Sequence, residues 1–308
     1  MTVWRPMYGW CPRDSYLKHY PKVDIENMQK ADHEKYFHGV VGLERAKKAL
    51  VNSVIHPIIR PDLFPLGWSR GILLFGPPGT GKTLLASAVA NGMNCGFNEI
   101  DAASINSKWI GEPEQNVAAI FRKARDMITK KSKPEIIFID EVDALFAQDI
   151  GRYNVSMKNQ FLKEMDGLQD QGKNIPLYLI GTTNKPWNID QGFIRRFQKR
   201  IHVPLPNNKE RKSILKLYLS KLSIDGNLKM HSLAQSLEGY SGSDIRDICR
   251  EVHLNTVDKL FQISSNPTGD PDPITFKDFE EILTSRKPSV SPEHLEDYSA
   301  WAEKFAAS

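Results

Sequence analysis

The sequence has no apolar run approaching the ~20 residues that a membrane span needs, so an integral membrane helix is excluded as its organising feature. Cysteine is scarce. Cys11, Cys95 and Cys249 are far apart and odd in number. They exclude a disulfide framework and a cysteine-based zinc cluster, and they make a reducing cytoplasm the expected compartment. The eight histidines show no metal-ligand spacing and read as structural or solvated. Residues Met1 to Tyr20 mix tryptophan, proline and charge, without the apolar stretch of a secretory signal. A dominant charge is also missing. Lys+Arg minus Asp+Glu is 41 − 37, a net +4, which gives no compositional case for binding nucleic acid or a membrane surface. Internal repeats and low-complexity segments are absent.

What is present is ordinary for a globular protein: 40% hydrophobic and 25% charged residues in 308. That length suits two domains, or one large domain with an appendage. Residues 1–36 are rich in aromatics and proline, including Trp4, Trp10, Tyr16 and Pro21. They read as a linker whose rings pack on a neighbouring domain, or as a partner-docking arm. From Val40 the pattern becomes regular. A helix is expected from Leu43 to about Ile55, ending before Pro57. Short apolar runs follow at Ile72–Phe75, Phe97–Ile100, Ile136–Ile139, Leu177–Ile180 and Ile201–Val203, each bounded by turn formers or charge. Helical stretches Thr83–Ala90, Pro113–Ile128 and Met157–Met165 lie between them. Strands alternating with helices predict a parallel sheet covered on both faces, so residues 37–205 read as a large α/β domain. Beyond Pro204 and Pro206 the strands stop. Glu210–Leu222, Leu228–Leu237, Ser243–Phe261 and Phe276–Thr284 read as helices of a smaller helical domain, residues 206–285. Ile245, Ile248, Val252, Val257, Leu260 and Phe261 are expected along one buried side of the third. Residues 286–308 form a last helix, in which Leu295, Tyr298, Trp301 and Phe305 share a face. Packing back on the large domain in support of assembly, and simple core packing, fit that face equally.

Gly76-Pro77-Pro78-Gly79-Thr80-Gly81-Lys82-Thr83 fits the phosphate-loop pattern G-x-x-x-x-G-K-[ST], and Leu84 continues into a helix. The glycines let backbone N–H groups approach phosphate closely, and the helix N-terminus adds partial positive charge. Lys82 is placed to reach β- and γ-phosphates, and the Thr83 hydroxyl to hold Mg²⁺. A second strand, Ile136–Ile139, ends in Asp140-Glu141 at the sheet edge where open α/β folds bind ligands. Asp140 suits the metal shell. Glu141 suits proton acceptance from an attacking water. A third strand runs into Gly181-Thr182-Thr183-Asn184. Asn184 is either a turn former or an amide that orients the water. The residues alone leave Arg195 and Arg196 as a solvated basic run, and Trp109 as half-buried loop packing.

These motifs, in this order, resemble the AAA+ ATPases over residues 37–305. The match rests on residues 76–83, Ile139-Asp140-Glu141, Gly181-Thr182-Thr183-Asn184 and Arg195-Arg196. The resemblance implies a five-stranded parallel P-loop sheet flanked by helices, then a helical lid, in a self-assembled ring, usually a hexamer. It implies ATP or ADP with Mg²⁺, and adenine near Val40, Val41 and Gly42 and near Gly242 and Ser243 of the lid. It makes Arg195 and Arg196 the residues that complete a neighbour's site. Gly239-Tyr240-Ser241-Gly242-Ser243-Asp244 and Ser107-Lys108-Trp109-Ile110-Gly111 look like the lid segment and first pore loop of the meiotic clade. That clade holds katanin, spastin and the ESCRT-III disassembly ATPases. Phe64-Pro65-Leu66-Gly67-Trp68, the run Asn159–Gly167, Arg195–Arg200 and Arg286–Val290 look most like the archaeal cell-division ATPases that act on ESCRT-III-like filaments. By that resemblance Lys108, Trp109 and Ile110 grip an extended acidic tail.

There are departures from the pattern. Residues 1–36 are too short for the three-helix domain that usually recruits ESCRT-III tails, so either that domain is truncated or recruitment differs. Ser264–Pro273 stands where eukaryotic members carry a β-hairpin in the lid, so no cofactor is expected to dock there. Gln148–Ser156 is a short, poor match to the second pore loop. The expected function is an ATP-driven ring translocase that disassembles or remodels ESCRT-III-like filaments in membrane scission or cell division, touching membrane only indirectly, with no direct nucleic-acid contact expected. A microtubule-severing ATPase of the same clade, a nucleic-acid motor and a non-hydrolysing assembly module are the alternatives.

Overall fold

The computed structural model describes residues 35–100, 113–147, 155–169, 175–263 and 269–305. Five strands form one parallel sheet: β1 (Gly71–Phe75), β2 (Gly96–Ile100), β3 (Glu135–Ile139), β4 (Leu177–Thr183) and β5 (Lys199–His202), in the order β2-β3-β4-β1-β5. Alternate side chains go to opposite faces. Leu73, Phe75, Ile137, Ile139, Leu177 and Leu179 enter one core. Ile72, Leu74, Ile136, Phe138, Tyr178 and Ile180 enter another. Because both faces are covered, β1, β3 and β4 are buried along their whole length, which is why they read as continuous apolar runs.

The N-terminal helix corrects the sequence reading. α1 (Glu44–Leu50) does not stop before Pro57. It passes through a π-helical turn, Val51–Ile55, into α2 (His56–Ile59). Proline in a helix lacks an N–H and crowds the preceding turn. The wider π turn immediately before it relieves that crowding, so the chain continues. Leu50, Val54 and Ile55 on this segment are fully buried against the second core, together with Tyr36 and Phe37. α3 (Lys82–Gly92) covers the same face with Leu85, Ala86 and Val89.

The first core lies under α4 (Pro113–Lys131) and α6 (Val155–Gln169). Val117, Phe121, Ala124 and Ile128 face it from α4, and Phe161 meets Phe121 edge-on at 6.2 Å. Two short helices went unread in the sequence, α5 (Val142–Phe146) and α7 (Gln191–Arg196). Each is under two turns, too short to show a period. Their rings Phe146 and Phe193 stack at 3.9 Å.

A third core joins α8 (Asn208–Leu219), α9 (Met230–Ser236), α10 (Gly242–Ile263) and α11 (Phe276–Ser285). α8 begins with a capping box between Asn207 and Glu210. Along α10, Ile245, Ile248 and Val252 are buried, but Phe261 is 55% exposed, so the expected apolar side does not stay buried to the end. Among the described residues no helix is long and apolar enough to cross a membrane. The last helix, α12 (Pro292–Phe305), leaves this third core and puts Trp301 into the first one, 4.4 Å from Phe75.

Candidate nucleotide site

Parallel strands deliver their carboxyl ends to one edge, and the strand order places β4 between β1 and β3. The loop after β1, the Asp140-Glu141 pair after β3 and Asn184 after β4 are therefore neighbours. Gly76, Gly79 and Gly81 carry φ of 148°, 73° and 93°, so the loop needs its glycines for backbone shape. A methyl group on Gly76 would fall 2.2 Å from the Val203 carbonyl oxygen. The buried Thr80 hydroxyl donates to the Pro77 carbonyl at 2.9 Å and closes the loop on itself.

Lys82 is 7% exposed and donates to the carbonyls of Gly76 and Pro77 at 2.9 and 2.7 Å. Burial pulls its pKa down to about 8, against the opposing pull of Asp140 and Asp143. The Thr83 hydroxyl donates to Asp140 Oδ2 at 3.0 Å. Thr182 donates to Asp140 Oδ1, which also accepts from the Glu141 backbone N–H at 3.1 Å. Asp140 is thus gripped from three sides. Glu141 is exposed and has φ 50°, ψ 51°, a left-handed conformation that is uncommon outside glycine and that gathers at functional positions. It stands at the start of α5.

Other elements close over this edge. The Ser243 N–H donates to the Gly79 carbonyl at 3.1 Å, bringing the start of α10 onto the loop. Asp244 accepts from the Ser241 N–H at 2.9 Å, and from the hydroxyls of Ser241 and Ser289 at 2.8 Å each. Burial opposes its ionisation, but these hydrogen bonds outweigh it and lower its pKa. On the far side, Glu210 accepts the Leu43 N–H at 2.7 Å. Gly42 and Leu43 therefore stand against Glu210 in the first turn of α8, with Val41 and the buried Val40 just before them in the chain. Gly42 has φ 68°, and a methyl group there would meet Glu210 Cγ at 2.6 Å.

Arg195 and Arg196 are elsewhere. The Arg196 carbonyl packs against Gly71, at the start of β1, where a methyl group would meet it at 2.6 Å. The phosphate loop begins at the other end of that strand. Five residues of strand put about 16 Å between the two. Arg196 makes a paired contact to Asp166, Nε to Oδ1 and Nη2 to Oδ2, both at 2.8 Å. Arg195 is exposed and makes no ion pair among the described residues. Lys108, Trp109 and Ile110 lie outside the described residues, as do most of Gln148–Ser156 and half of Ser264–Pro273.

The sequence reading gave no part in this edge to four residues that hold it together, although it placed Tyr298 on the packing face of the last helix. Thr182 and Asp143 were within reach of pattern, because the former belongs to the Gly-Thr-Thr-Asn run and the latter follows Asp140 by three residues; Thr183 donates to Asp143 at 2.6 Å. Glu210 is signalled by its capping box, though its contact with Leu43 is not. Tyr298, whose hydroxyl donates to the Asn184 carbonyl at 2.5 Å, carries no such signal.

Residues 72–205 match the family "ATPase family associated with various cellular activities (AAA)", and residues 259–305 match the "Vps4 C terminal oligomerisation domain". The chain is 48% identical over 293 residues to Cell division protein C of Sulfolobus acidocaldarius, covering 93% of this chain and 76% of that protein. It is 41% identical over 277 residues to spastin of Gallus gallus, covering 87% of this chain and 44% of spastin, so it spans less than half the length of that relative. The crystal structure of the FIGL-1 AAA domain aligns with a TM-score of 0.79 at 35% identity, over 94% of this chain and 98% of that one. The same domain in complex with ADP aligns with a TM-score of 0.77 at 36% identity, over 88% and 91%. A nucleotide edge built on this sheet, with these likenesses, assigns the chain: it belongs to the AAA ATPases, enzymes that bind and hydrolyse ATP, and is related to the archaeal cell division protein and to spastin.

Proposed function

We propose that the chain is the motor of an ATP-driven homo-oligomeric ring, usually a hexamer in this family, that pulls subunits from ESCRT-III-like filaments in the cytoplasm. The observation that carries the assembly requirement is the placement of Arg195. It is exposed, and the carbonyl of the next residue, Arg196, packs at Gly71, the end of β1 away from the phosphate loop. A neighbour's site is the chemistry left for it, and a trans-acting arginine raises phosphoryl-transfer rates by about 10³–10⁵ in GTPases. The match of residues 259–305 to an oligomerisation domain supports the same reading.

Within one site, Pro78 to Leu84 wrap the phosphates and Lys82 exchanges its two carbonyl partners for phosphate oxygens. The Thr83 hydroxyl and the Asp140 carboxylate, already side by side, form the oxygen set that a hard cation prefers, so these residues fit Mg²⁺ and would hold it. The ion would neutralise charge on the β- and γ-phosphates. Glu141 takes a proton from the attacking water and Asn184 orients that water. Val40, Val41 and Gly42 on one side, and Gly242 and Ser243 on the other, border the adenine. Lys108, Trp109 and Ile110 grip the filament subunit's acidic tail in the pore.

The ESCRT-III assignment is supported by the sequence resemblance to archaeal cell-division ATPases and by 48% identity to Cell division protein C. The similarity to spastin favours a second reading, microtubule severing. A turbidity assay on preformed ESCRT-III-like polymers tests the first. ATP with Mg²⁺ should clear them, ATP with the Trp109→Ala protein should not, and clearing by that variant would remove the pore role.

A further inference from the structure

The C-terminal helix touches the nucleotide edge in a way that packing alone does not require. Tyr298 is 5% exposed, and its hydroxyl donates to the backbone carbonyl of Asn184. Its ring lies 5.2 Å from Trp187 and 6.5 Å from His202, and His202 stacks at 5.1 Å on Phe75, the residue before the phosphate loop. One turn on, Trp301 meets Phe75 edge-on. The same segment is held at its start by the lid. The Ser289 hydroxyl donates to Asp244, the Tyr240 hydroxyl donates to the Arg286 carbonyl at 2.6 Å, and Arg286 pairs with Glu251 at 2.7 Å.

We propose that Tyr298 is a positioning residue for hydrolysis, fixing the Asn184 peptide so that the Asn184 side chain meets the attacking water at one angle. The proposal rests on the reading of Asn184 given above. Asn184 leaves the sheet just after Thr183, whose hydroxyl donates to Asp143 and accepts the Lys185 N–H at 2.9 Å. The Asn184 carbonyl at this exit is held by Tyr298. Removing the phenol oxygen leaves the ring packing in place and frees the peptide to tilt. Nucleotide binding, which depends on the loop after β1, is untouched. The chemical step is not, because a small misplacement of a reacting group is costly to rate. Since the segment leading into the helix is also latched to the lid, Ser289 to Asp244, a change of lid angle reaches Asn184 through Tyr298.

Tyr298→Phe tests this in the full chain, beside Asn184→Ala and the double variant. Tyr298→Phe should lower kcat about tenfold, the rate equivalent of one lost hydrogen bond, with KM for ATP, nucleotide affinity, Tm and assembly unchanged. The double variant should be no slower than Asn184→Ala alone. An unchanged kcat for Tyr298→Phe, with Asn184→Ala slow, would overturn the positioning role while leaving that of Asn184. A parallel loss of nucleotide affinity and Tm would make Tyr298 a structural support only, and so also overturn it. A normal kcat for Asn184→Ala would overturn the reading of Asn184 itself.

Discussion

Ser243 donates its backbone N–H to the carbonyl of Gly79, and a methyl group added to Gly79 would fall 1.9 Å from the Ser243 hydroxyl. The lid thus rests on the phosphate loop at a point where only glycine fits. The contact joins two separately packed cores, the one beneath β1 and the one around α10.

Gly79→Ala follows directly. The new methyl group also meets the Ser241 hydroxyl at 2.6 Å, and the residue must hold φ 73°. A left-handed conformation costs about 1–2 kcal/mol for an L-residue before any clash is counted. Titration with a fluorescent ATP analogue should show affinity lowered by at least about tenfold, with far-UV circular dichroism unchanged. Unaltered affinity would mean that the lid does not rest there when nucleotide binds.

Arg195→Ala should abolish hydrolysis and spare ATP binding by the isolated subunit. Its sharper test is complementation. Arg195→Ala and Glu141→Gln proteins, each inactive alone, should recover phosphate release when mixed, because some mixed sites pair an intact Glu141 with a neighbour's intact Arg195. Failure to recover activity in co-assembled rings would place the arginine in its own subunit's site.

Trp301→Ala should destabilise the α/β body. Trp301 is 8% exposed and packs on Phe75 and Phe305. Loss of a buried tryptophan typically costs about 3–5 kcal/mol, so the urea midpoint should fall markedly. A midpoint within error of the parent protein would show that α12 contributes to assembly alone.

Acid sensitivity has a local source in the small domain. Burial opposes ionisation of Asp278, but hydrogen bonds from Lys259 and Thr275 outweigh it and hold its pKa at about 2, below the ordinary 3.8. A depressed carboxylate stabilises the fold above its unfolded pKa, and that contribution is lost as pH falls from about 4 toward 2. Asp278→Asn should lower Tm at neutral pH and flatten the decline of Tm across that window. An identical decline in the variant would assign acid lability to other carboxylates.

Much of this architecture was legible from residues. β1, β3 and β4 are buried on both faces and so appear as unbroken apolar runs, and the phosphate loop announces its own strand and helix. Pro57 misled because a π turn, which no residue pattern marks, absorbs it. Phe261 misled because periodicity shows which side of a helix is apolar, not where its neighbour ends. The pairing of Arg196 with Asp166 and of Tyr298 with Asn184 joins residues 30 and 114 positions apart, contacts that exist only once the chain is folded.

The central claim is that this motor acts on ESCRT-III-like filaments. Glu141→Gln protein, expected to bind ATP without hydrolysing it, should be sedimented with ESCRT-III-like polymers, with microtubules and with DNA, each with and without ATP. The account predicts ATP-dependent pelleting with the ESCRT-III-like polymers alone. ATP-dependent pelleting with microtubules or DNA, and none with those polymers, would contradict it.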